Sequence, residues 1–186
     1  MILTFIRWIA RQYDRIGLKR LRVGTLGDVV VERYMLLGYG GGYDGIGHRF
    51  PNILLHHWVD RVDDLYLHNH GRWALSIVLS GGYRENFVTL ARVRSRWSVQ
   101  ILPPRRLHKV TDILPDTWTL FIVGPWQGET CVMTEEGTIT RSQACARDSS
   151  GLTGVHRDTP ELRRRIWIRR QVVARSASMR ANREAI

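Results

Sequence analysis

The chain has 186 residues, of which 44% are hydrophobic and seven are Trp, and this suits one folded domain rather than a disordered or fibrous protein. Its longest apolar runs, such as Ala74 to Leu79, are far too short to cross a bilayer. The net charge of +11 is uneven, because the last thirty residues hold nine Arg against three acidic residues. Almost every basic residue is Arg, a bias that weakens an inference of nucleic-acid binding from charge alone.

An N-terminal helix is predicted within residues 1–24. Apolar residues recur every three or four positions between residues 2 and 22, and Arg or Asp residues fall between them, which is typical of an amphipathic helix. The apolar positions are Ile2, Phe5, Ile6, Ile9, Tyr13 and Ile16. Gly17 and Gly24 are expected to loosen the end of this helix.

A mainly β domain is predicted for residues 25–141. Short runs rich in Val, Ile, Leu and aromatic residues are separated by Gly, Pro, Asn or Asp, without helical patterns between them, which favours a sandwich or barrel. The predicted strands are 29–37, 52–59, 65–70, 74–79, 83–90, 97–102, 108–114 and 118–123. A hairpin around Glu136-Gly137 is expected to join further strands at 131–133 and 138–140. The stretch 38–47 contains six glycines and is predicted to be a loop.

A polar linker and a basic helix are predicted for residues 142–186. Thr159 would be the N-cap of this helix and Pro160 its first helical residue. Five Arg follow between residues 163 and 170, around Leu162, Ile166 and Trp167. The simpler interpretation is a solvated arginine face whose apolar side packs on the barrel. The alternative is contact with nucleic acid or a partner protein.

The two cysteines, Cys131 and Cys145, form neither a CxxC pair nor a disulfide framework, and a reducing cytoplasm is therefore the expected compartment. The first ten residues have no basic stretch ahead of the apolar one, so no secretory signal is expected. We also expect no transmembrane segment. The sequence does not decide between a monomer and a homodimer.

The pair His68 and His70 is the first sign of a metal site. In a strand, side chains at positions i and i+2 point to the same face, so the two imidazoles would lie about 7 Å apart along the strand. Two imidazoles placed in this way can bind one metal ion at roughly 2.0–2.1 Å each. By contrast, His56 and His57 are adjacent in sequence and are expected to face opposite sides of their strand.

A third histidine follows a proline turn. Pro103 and Pro104 are expected to stop strand pairing, and His108 opens the next predicted strand. His108 could therefore join His68 and His70 from a different strand. The alternative is that these histidines are ordinary polar positions on a strand surface, which an HxH pattern by itself does not exclude.

These motifs resemble those of the cupin superfamily. His68-Asn69-His70 with the Gly81-Gly82 turn is similar to the first cupin motif, and Pro104 with His108 is similar to the second. More closely, residues 52–125 resemble an uncharacterised group of small bacterial and phage cupin proteins. The resemblance implies a double-stranded β-helix, which is a jelly-roll barrel, here between an N-terminal and a C-terminal amphipathic helix. It also implies a divalent metal held by the three histidines.

Two features depart from the cupin pattern. The acidic residue expected shortly after the HxH pair is absent, because Trp73, Ala74 and Leu75 occupy that region, and an Arg stands where the second motif has glycine. The metal would then be held by three His and water, as in the thiol dioxygenases that this pattern resembles. Alternatively, Glu85 on the following strand would be the fourth ligand.

Three neutral imidazoles favour Fe(II), with Mn, Ni, Co or Zn as alternatives. The predicted function is therefore an Fe(II)-dependent oxygenase that acts on a small-molecule substrate. Arg72, Arg105 or Arg106 would pair with an anionic group of the substrate, and Glu85 and Tyr83 are the candidate catalytic residues. Two other functions stay open: a non-catalytic binding module that uses the basic C-terminal helix, and a metal-assisted isomerase or lyase with Glu85 as base.

Overall fold

The computed structural model describes residues 2–23, 29–38, 51–59, 67–125, 127–128, 130–134, 137–140 and 154–157, together with Pro160 and Arg164. This part of the chain contains one helix and twelve strands. The elements are α1 (Ile2–Arg15), β1 (Lys19–Val23), β2 (Val29–Leu37), β3 (Asn52–Trp58), β4 (Ala74–Ser80), β5 (Gly82–Phe87), β6 (Ala91–Ser95), β7 (Val99–Leu102), β8 (His108–Thr111), β9 (Trp118–Val123), β10 (Cys131–Thr134), β11 (Gly137–Thr140) and β12 (Gly154–Arg157). Most of the predicted loop at 38–47 and most of the linker and basic helix predicted for 142–186 lie outside these residues. Among the described residues, no helix has the length and apolarity needed to span a membrane.

The strands form two antiparallel sheets. The larger sheet has seven strands in the order β12-β1-β2-β3-β9-β4-β7. The smaller sheet contains β6-β5-β8 and the hairpin β10-β11, and isolated bridges from His68 to His108 and to Val132 join these two parts. From β4 onward the chain passes repeatedly between the sheets, with β4, β7 and β9 in the larger sheet and β5, β6, β8 and β10 in the smaller one. This path is that of a double-stranded β-helix, and the predicted mainly β jelly-roll barrel is confirmed.

The barrel core lies between the two sheets. Residues of β4 are alternately buried and half-buried, as expected for a strand with one face turned inward. Val78 on β4 packs with Tyr83 and Val110 of the smaller sheet, and Trp58 on β3 packs against the same cluster. The Trp58 and Tyr83 rings lie 6.0 Å apart between centroids, so the two sheets are in contact across the barrel.

Helix α1 covers the outer face of the larger sheet. Ile6 and Ala10 are buried there against Tyr34, Leu55 and Trp118. The apolar face therefore differs in part from the predicted one. Two residues assigned to that face, Phe5 and Ile16, are exposed at 59% and 66%.

The prediction that the first helix runs to residue 22 is wrong, because the helix ends at Arg15. Gly17 has a positive φ of 72°. The Gly17 amide donates to Asp14 O at 3.0 Å and the Leu18 amide donates to Tyr13 O at 2.9 Å, which is a Schellman motif. The chain then turns directly into β1, which lies within the segment predicted to be helical.

The larger sheet also extends beyond residues 25–141, the predicted bounds of the barrel. β1 lies before this range and pairs with β2 on one side. On its other side β1 pairs with β12, which lies inside the segment predicted to be a linker. A five-residue strand and a four-residue strand with few apolar residues leave too weak a pattern to be recognised before their pairing partner is known.

Some predicted strands have different limits in the structure. The strand predicted at 83–90 ends at Phe87 and is followed by β6, which was not predicted. β6 is an edge strand of the smaller sheet, and its largely exposed sequence, ARVRS, has no apolar face to reveal it. The strand predicted at 97–102 begins at Val99, because Trp97 occupies a turn with a positive φ of 69°.

The Gly81-Gly82 turn carries the chain from β4 in the larger sheet to β5 in the smaller one. Gly81 has a φ of +67°, and a Cβ atom there would lie 2.3 Å from Thr117 Oγ1 and 2.7 Å from Thr117 Cα. Thr117 is fully buried, and its hydroxyl oxygen accepts a hydrogen bond from the Gly82 amide at 3.0 Å. The turn therefore requires glycine, because the backbone of Thr117 leaves no space for a side chain.

We predict that Gly81→Ala lowers the free energy of unfolding by about 3 kcal/mol, since alanine at positive φ is strained and its methyl group meets the Thr117 backbone. Gly128→Ala is the matched control, because a Cβ at Gly128 has no heavy atom within 4 Å. This control should change the stability by no more than about 0.5 kcal/mol. Urea unfolding of the two variants measures the difference, and equal effects would contradict the role given to the turn.

A partly buried ion cluster lies on the outer side of the larger sheet. Lys19 Nζ lies 2.8 Å from Glu32 Oε1, and His57 Nδ1 lies 3.0 Å from Glu32 Oε2. The Tyr34 hydroxyl donates to Glu32 Oε2 at 2.9 Å. Burial by itself would raise the pKa of Glu32, but these partners outweigh it and lower the pKa from its ordinary 4.5 to about 2. Glu32 is therefore ionised at neutral pH and balances the charge of Lys19.

We predict that acid destabilises the fold partly through Glu32. Because the folded-state pKa is depressed, its stabilisation is complete above the unfolded-state pKa of 4.5 and is lost as the pH falls toward about 2. The difference corresponds to roughly 3 kcal/mol at neutral pH. Glu32→Gln should therefore be less stable than the wild type at neutral pH, and urea unfolding should show this gap narrowing below about pH 4.5. A gap that stays constant with pH would contradict the prediction.

Candidate metal centre

The segment that carries His68 and His70 is held between two strands by its backbone. The His68 amide donates to His108 O at 2.8 Å, and the His108 amide donates to His68 O at 2.9 Å. On the other side, the Asn69 amide donates to Cys131 O at 3.1 Å, and the Asn69 side-chain oxygen accepts from the Cys131 amide at 2.8 Å. A strand was predicted at 65–70, and residues 67–70 of it are described. These residues form no continuous strand, and their β-pairing consists of the two isolated bridges of His68. The side chain of Asn69 supplies the further contact to β10.

The three predicted histidines come together inside the barrel. Each of His68, His70 and His108 offers one imidazole nitrogen, and these nitrogens all lie within 4.8 Å of one another. The ring centroids are 5.0 Å apart for both pairs that include His108 and 5.3 Å apart for His68 and His70. In the described part of the chain, no carboxylate or cysteine joins this group.

The arrangement of nitrogens fits a divalent metal. His70 Nε2 and His108 Nε2 lie 2.8 Å apart. Two ligands at ~2.1 Å from an octahedral ion, on neighbouring positions, lie roughly 3 Å apart, which is close to the spacing of this pair of nitrogens. Imidazole nitrogen is also a suitable ligand for iron, zinc, nickel and copper. The site could therefore hold a metal ion, as the sequence predicts.

Glu85 lies behind His108 rather than among the three metal-facing nitrogens. His108 Nδ1 donates to Glu85 Oε1 at 2.8 Å, because an ionised carboxylate can only accept. Arg94 Nε and Nη2 both donate to Glu85 Oε2, at 2.9 and 2.8 Å. Both oxygens of Glu85 are thus engaged. The sequence predicted Glu85 as a fourth ligand and did not predict its hydrogen bonds with His108 and Arg94.

The charge of Glu85 is stabilised by these partners. Burial by itself would raise the pKa of Glu85, and the hydrogen bond from His108 together with the Arg94 guanidinium outweighs it, so the pKa lies below its ordinary value. The carboxylate is accordingly ionised at neutral pH although it has no exposed surface.

The histidines line one cavity of about 30 Å³ between the two sheets. Its apolar walls include Phe121, whose ring centroid lies 5.3 Å from that of His70 and 5.0 Å from that of His56. His56 also lines the cavity, and His57 faces the other side of the sheet, where its ring stacks on Trp118 at 4.2 Å. The expectation that these two adjacent histidines face opposite sides is confirmed.

The path of the strands and the position of the three histidines decide the type of fold. The HxH segment and His108 lie on neighbouring positions of the smaller sheet and face the barrel interior, as the resemblance implies. This chain has a cupin-type barrel.

Comparisons with known proteins find only low similarity. No protein-family model and no curated protein matches the chain. Among solved structures, a cupin-2 domain protein from Rhodospirillum rubrum has 14% identity and a TM-score of 0.45. The alignment covers 66% of this chain and 75% of the R. rubrum protein. A cupin-like protein from Thermotoga maritima has 17% identity and a TM-score of 0.43, covering 64% and 85%. An RmlC-like cupin from Shewanella frigidimarina has the same identity and TM-score, covering 59% and 86%.

The predicted substrate-binding arginines do not line the cavity that the described residues of the cupin-type barrel enclose. Arg105 and Arg106 are exposed between β7 and β8, and the Arg106 guanidinium lies 5.2 Å from the centre of the Phe87 ring. Arg72 follows the HxH segment and is half-buried. The arginine that does line the cavity is Arg33 on β2, which the sequence patterns did not single out. Its position beside His56 follows from the pairing of β2 with β3.

Tyr83 lines the same cavity and is almost completely buried. Burial raises the pKa of Tyr83 to about 12, with the negative charge of Glu85 adding to this effect and with the Ser76 hydrogen bond and the Arg94 charge opposing it. Tyr83 is therefore a neutral phenol at physiological pH. It can act as a hydrogen-bond donor or acceptor there, and not as a phenolate base.

We predict that Tyr83 gives a late ionisation step in an alkaline titration, because its burial raises the pKa to about 12. Following phenolate absorbance, the wild type should show a late step near pH 12, which is the pKa given for Tyr83. Tyr83→Phe should remove this step, and Tyr13→Phe, on α1, should retain it. A late step that survives Tyr83→Phe would show that another tyrosine is responsible.

Proposed function

We propose that this chain is an Fe(II)-dependent oxygenase of small molecules, in which His68, His70 and His108 hold the iron. The observation that supports the proposal is the convergence of three imidazole nitrogens within 4.8 Å at a cavity inside the barrel. A structural metal is usually enclosed by four protein ligands, whereas a catalytic metal keeps open positions. Three His leave such positions for substrate and O₂.

Iron is preferred on the chemistry of the ligands. Three neutral imidazoles suit Fe(II), and Mn, Ni, Co and Zn are the alternatives, because ligand type selects only weakly among these ions. When bound, the iron would supply the electrons that activate O₂. The protein's own contribution is to hold the three rings, to shape the cavity and to limit the access of water.

The cavity restricts what can bind. The cavity of about 30 Å³ between the described residues suits a small substrate rather than a polymer. Apolar side chains such as Phe121 and Leu102 contribute to the walls and exclude water, and Arg33 places a positive charge at the same cavity for an anionic group. Tyr83 would orient the substrate through its neutral hydroxyl. The pairing of Arg72, Arg105 or Arg106 with a substrate anion stays a prediction.

The other candidate functions have less support. An isomerase or lyase with Glu85 as base would need a carboxylate that reaches substrate, but both Glu85 oxygens are hydrogen-bonded and the residue is fully buried. The binding-module alternative depends on the basic helix within 142–186, which lies outside the described residues except for Pro160 and Arg164. No contact in the described residues favours nucleic acid or a dimer.

We predict that the protein, produced without a histidine tag, takes up one divalent ion per chain. His68→Ala, His70→Ala and His108→Ala should each reduce Fe(II) uptake to background, because two remaining imidazoles cannot hold the ion tightly. His57→Ala is the matched control, since His57 lies on the outer face of the larger sheet, and it should retain full uptake. Metal content after gel filtration is the measurement.

Oxygen consumption then tests the reaction. The iron-loaded protein should consume O₂ when small carboxylates or thiols are added, and the three histidine variants should not. Stoichiometric iron without O₂ consumption across such a panel would leave a metal-binding cupin and contradict the oxygenase. Metal uptake that is unchanged in all three variants would contradict the site itself.

A further inference from the structure

The contacts of His108 continue through two more side chains, which together form a line across the smaller sheet. His108 is on β8, Glu85 on β5 and Arg94 on β6, and these strands are neighbours in the order β6-β5-β8. Glu85 has no exposed surface, and the side chains of His108 and Arg94 are only 5% and 14% exposed. A charged carboxylate is strongly disfavoured in such a place unless it is paired and hydrogen-bonded.

The two oxygens of Glu85 have separate partners. Arg94 donates twice to Oε2, from Nε and from Nη2. This leaves Oε1 for the Nδ1–H group of His108 at 2.8 Å. Arg94 therefore sets the rotation of the carboxylate and aims its other oxygen at the imidazole.

The register of the strands shows that these contacts depend on side-chain length. Glu85 pairs with Val110, and His108 pairs with Phe87, so Glu85 reaches His108 along a diagonal. Arg94 pairs with Tyr83 and also reaches Glu85 along a diagonal. Diagonal neighbours in a sheet are about 7–8 Å apart at the backbone, which only long side chains can bridge. An aspartate at position 85 would be too short to reach both partners.

The hydrogen bond at Nδ1 has a consequence on the other side of the ring. When Nδ1 carries the proton, Nε2 of the neutral ring carries a lone pair, and this nitrogen faces His70 Nε2 at 2.8 Å. A carboxylate behind a ligating histidine fixes both the tautomer and the ring orientation.

We propose that Glu85, held in place by Arg94, is a positioning residue that presents His108 Nε2 to the metal. This inference rests on the proposed function, since it assigns a role within the same metal site. It differs from the sequence prediction, in which Glu85 was a fourth ligand or a base. The carboxylate acts through His108 and contacts neither metal nor substrate.

The test is the affinity for Co(II), measured by competition with a chromophoric chelator. Glu85→Gln and Glu85→Asp should each bind Co(II) about 10–100-fold more weakly than the wild type, which is the usual effect of removing such a partner. Arg94→Met should also weaken binding. Arg92→Met is the matched control, because Arg92 is on the same strand but exposed, and it should bind like the wild type. Affinities unchanged in both Glu85 variants would overturn the proposal.

A second readout needs no metal. In the metal-free protein, nitrogen NMR of the imidazoles should show His108 with its proton on Nδ1, and Glu85→Asp should lose this preference. If Glu85→Gln does not fold by circular dichroism, the double variant Glu85→Gln with Arg94→Met removes both charges together and should still lose the tautomer preference. A tautomer that is the same in wild type and variants would overturn the proposal.

The two readouts separate this inference from the proposed function. If the wild type takes up no metal, the proposed function fails, while the tautomer measurement still decides whether Glu85 positions His108. If the wild type binds metal and the Glu85 variants bind it equally well, the metal site stands and the role of Glu85 is refuted.

Discussion

The backbone pairing of His68 with His108 is the constraint on which the rest of the site depends. The two residues exchange both hydrogen bonds, at 2.8 and 2.9 Å, so they are directly opposite each other although they are far apart in the chain. Side chains of directly opposed residues point to the same face of a sheet, so both imidazoles enter the barrel. His70 follows two positions later, and the contact of Asn69 with β10 keeps this short segment in place.

The two faces of the larger sheet have different roles, as the adjacent residues His56 and His57 show. His56 faces the cavity beside Phe121, and His57 faces outward, where it is hydrogen-bonded to Glu32 and stacked on Trp118. The outer face is covered by α1 and is stabilised by apolar packing and a partly buried ion cluster. The inner face keeps several polar side chains around the three histidines. Stability and chemistry are thus separated by one sheet, and substitutions on the two faces should have different consequences.

The way in which this barrel places its carboxylate is its main departure from the cupin pattern. Ala74 stands in the region where an acidic residue is expected, and it is buried among Leu54, Leu102 and Phe121. A charged side chain in that apolar cluster would be costly. The carboxylate near the histidines comes instead from β5, where Arg94 neutralises it. If the three histidines hold a divalent metal, the charge of the ion would be left for an anionic substrate to balance.

The sequence by itself determined the mainly β barrel, the limits of strands such as Val29–Leu37 and Trp118–Val123, and the three histidines. These features depend on local patterns: alternation, turn residues, and an HxH pair followed by a proline turn. Only the tertiary structure decided that β1 belongs to the sheet, that Arg33 lines the cavity and that Glu85 lies behind His108 with Arg94 as its partner. Each of these depends on strand register, and a shift of one residue would turn every side chain of a strand to the opposite face. Register is set by pairing between distant segments, and no single segment of sequence contains it.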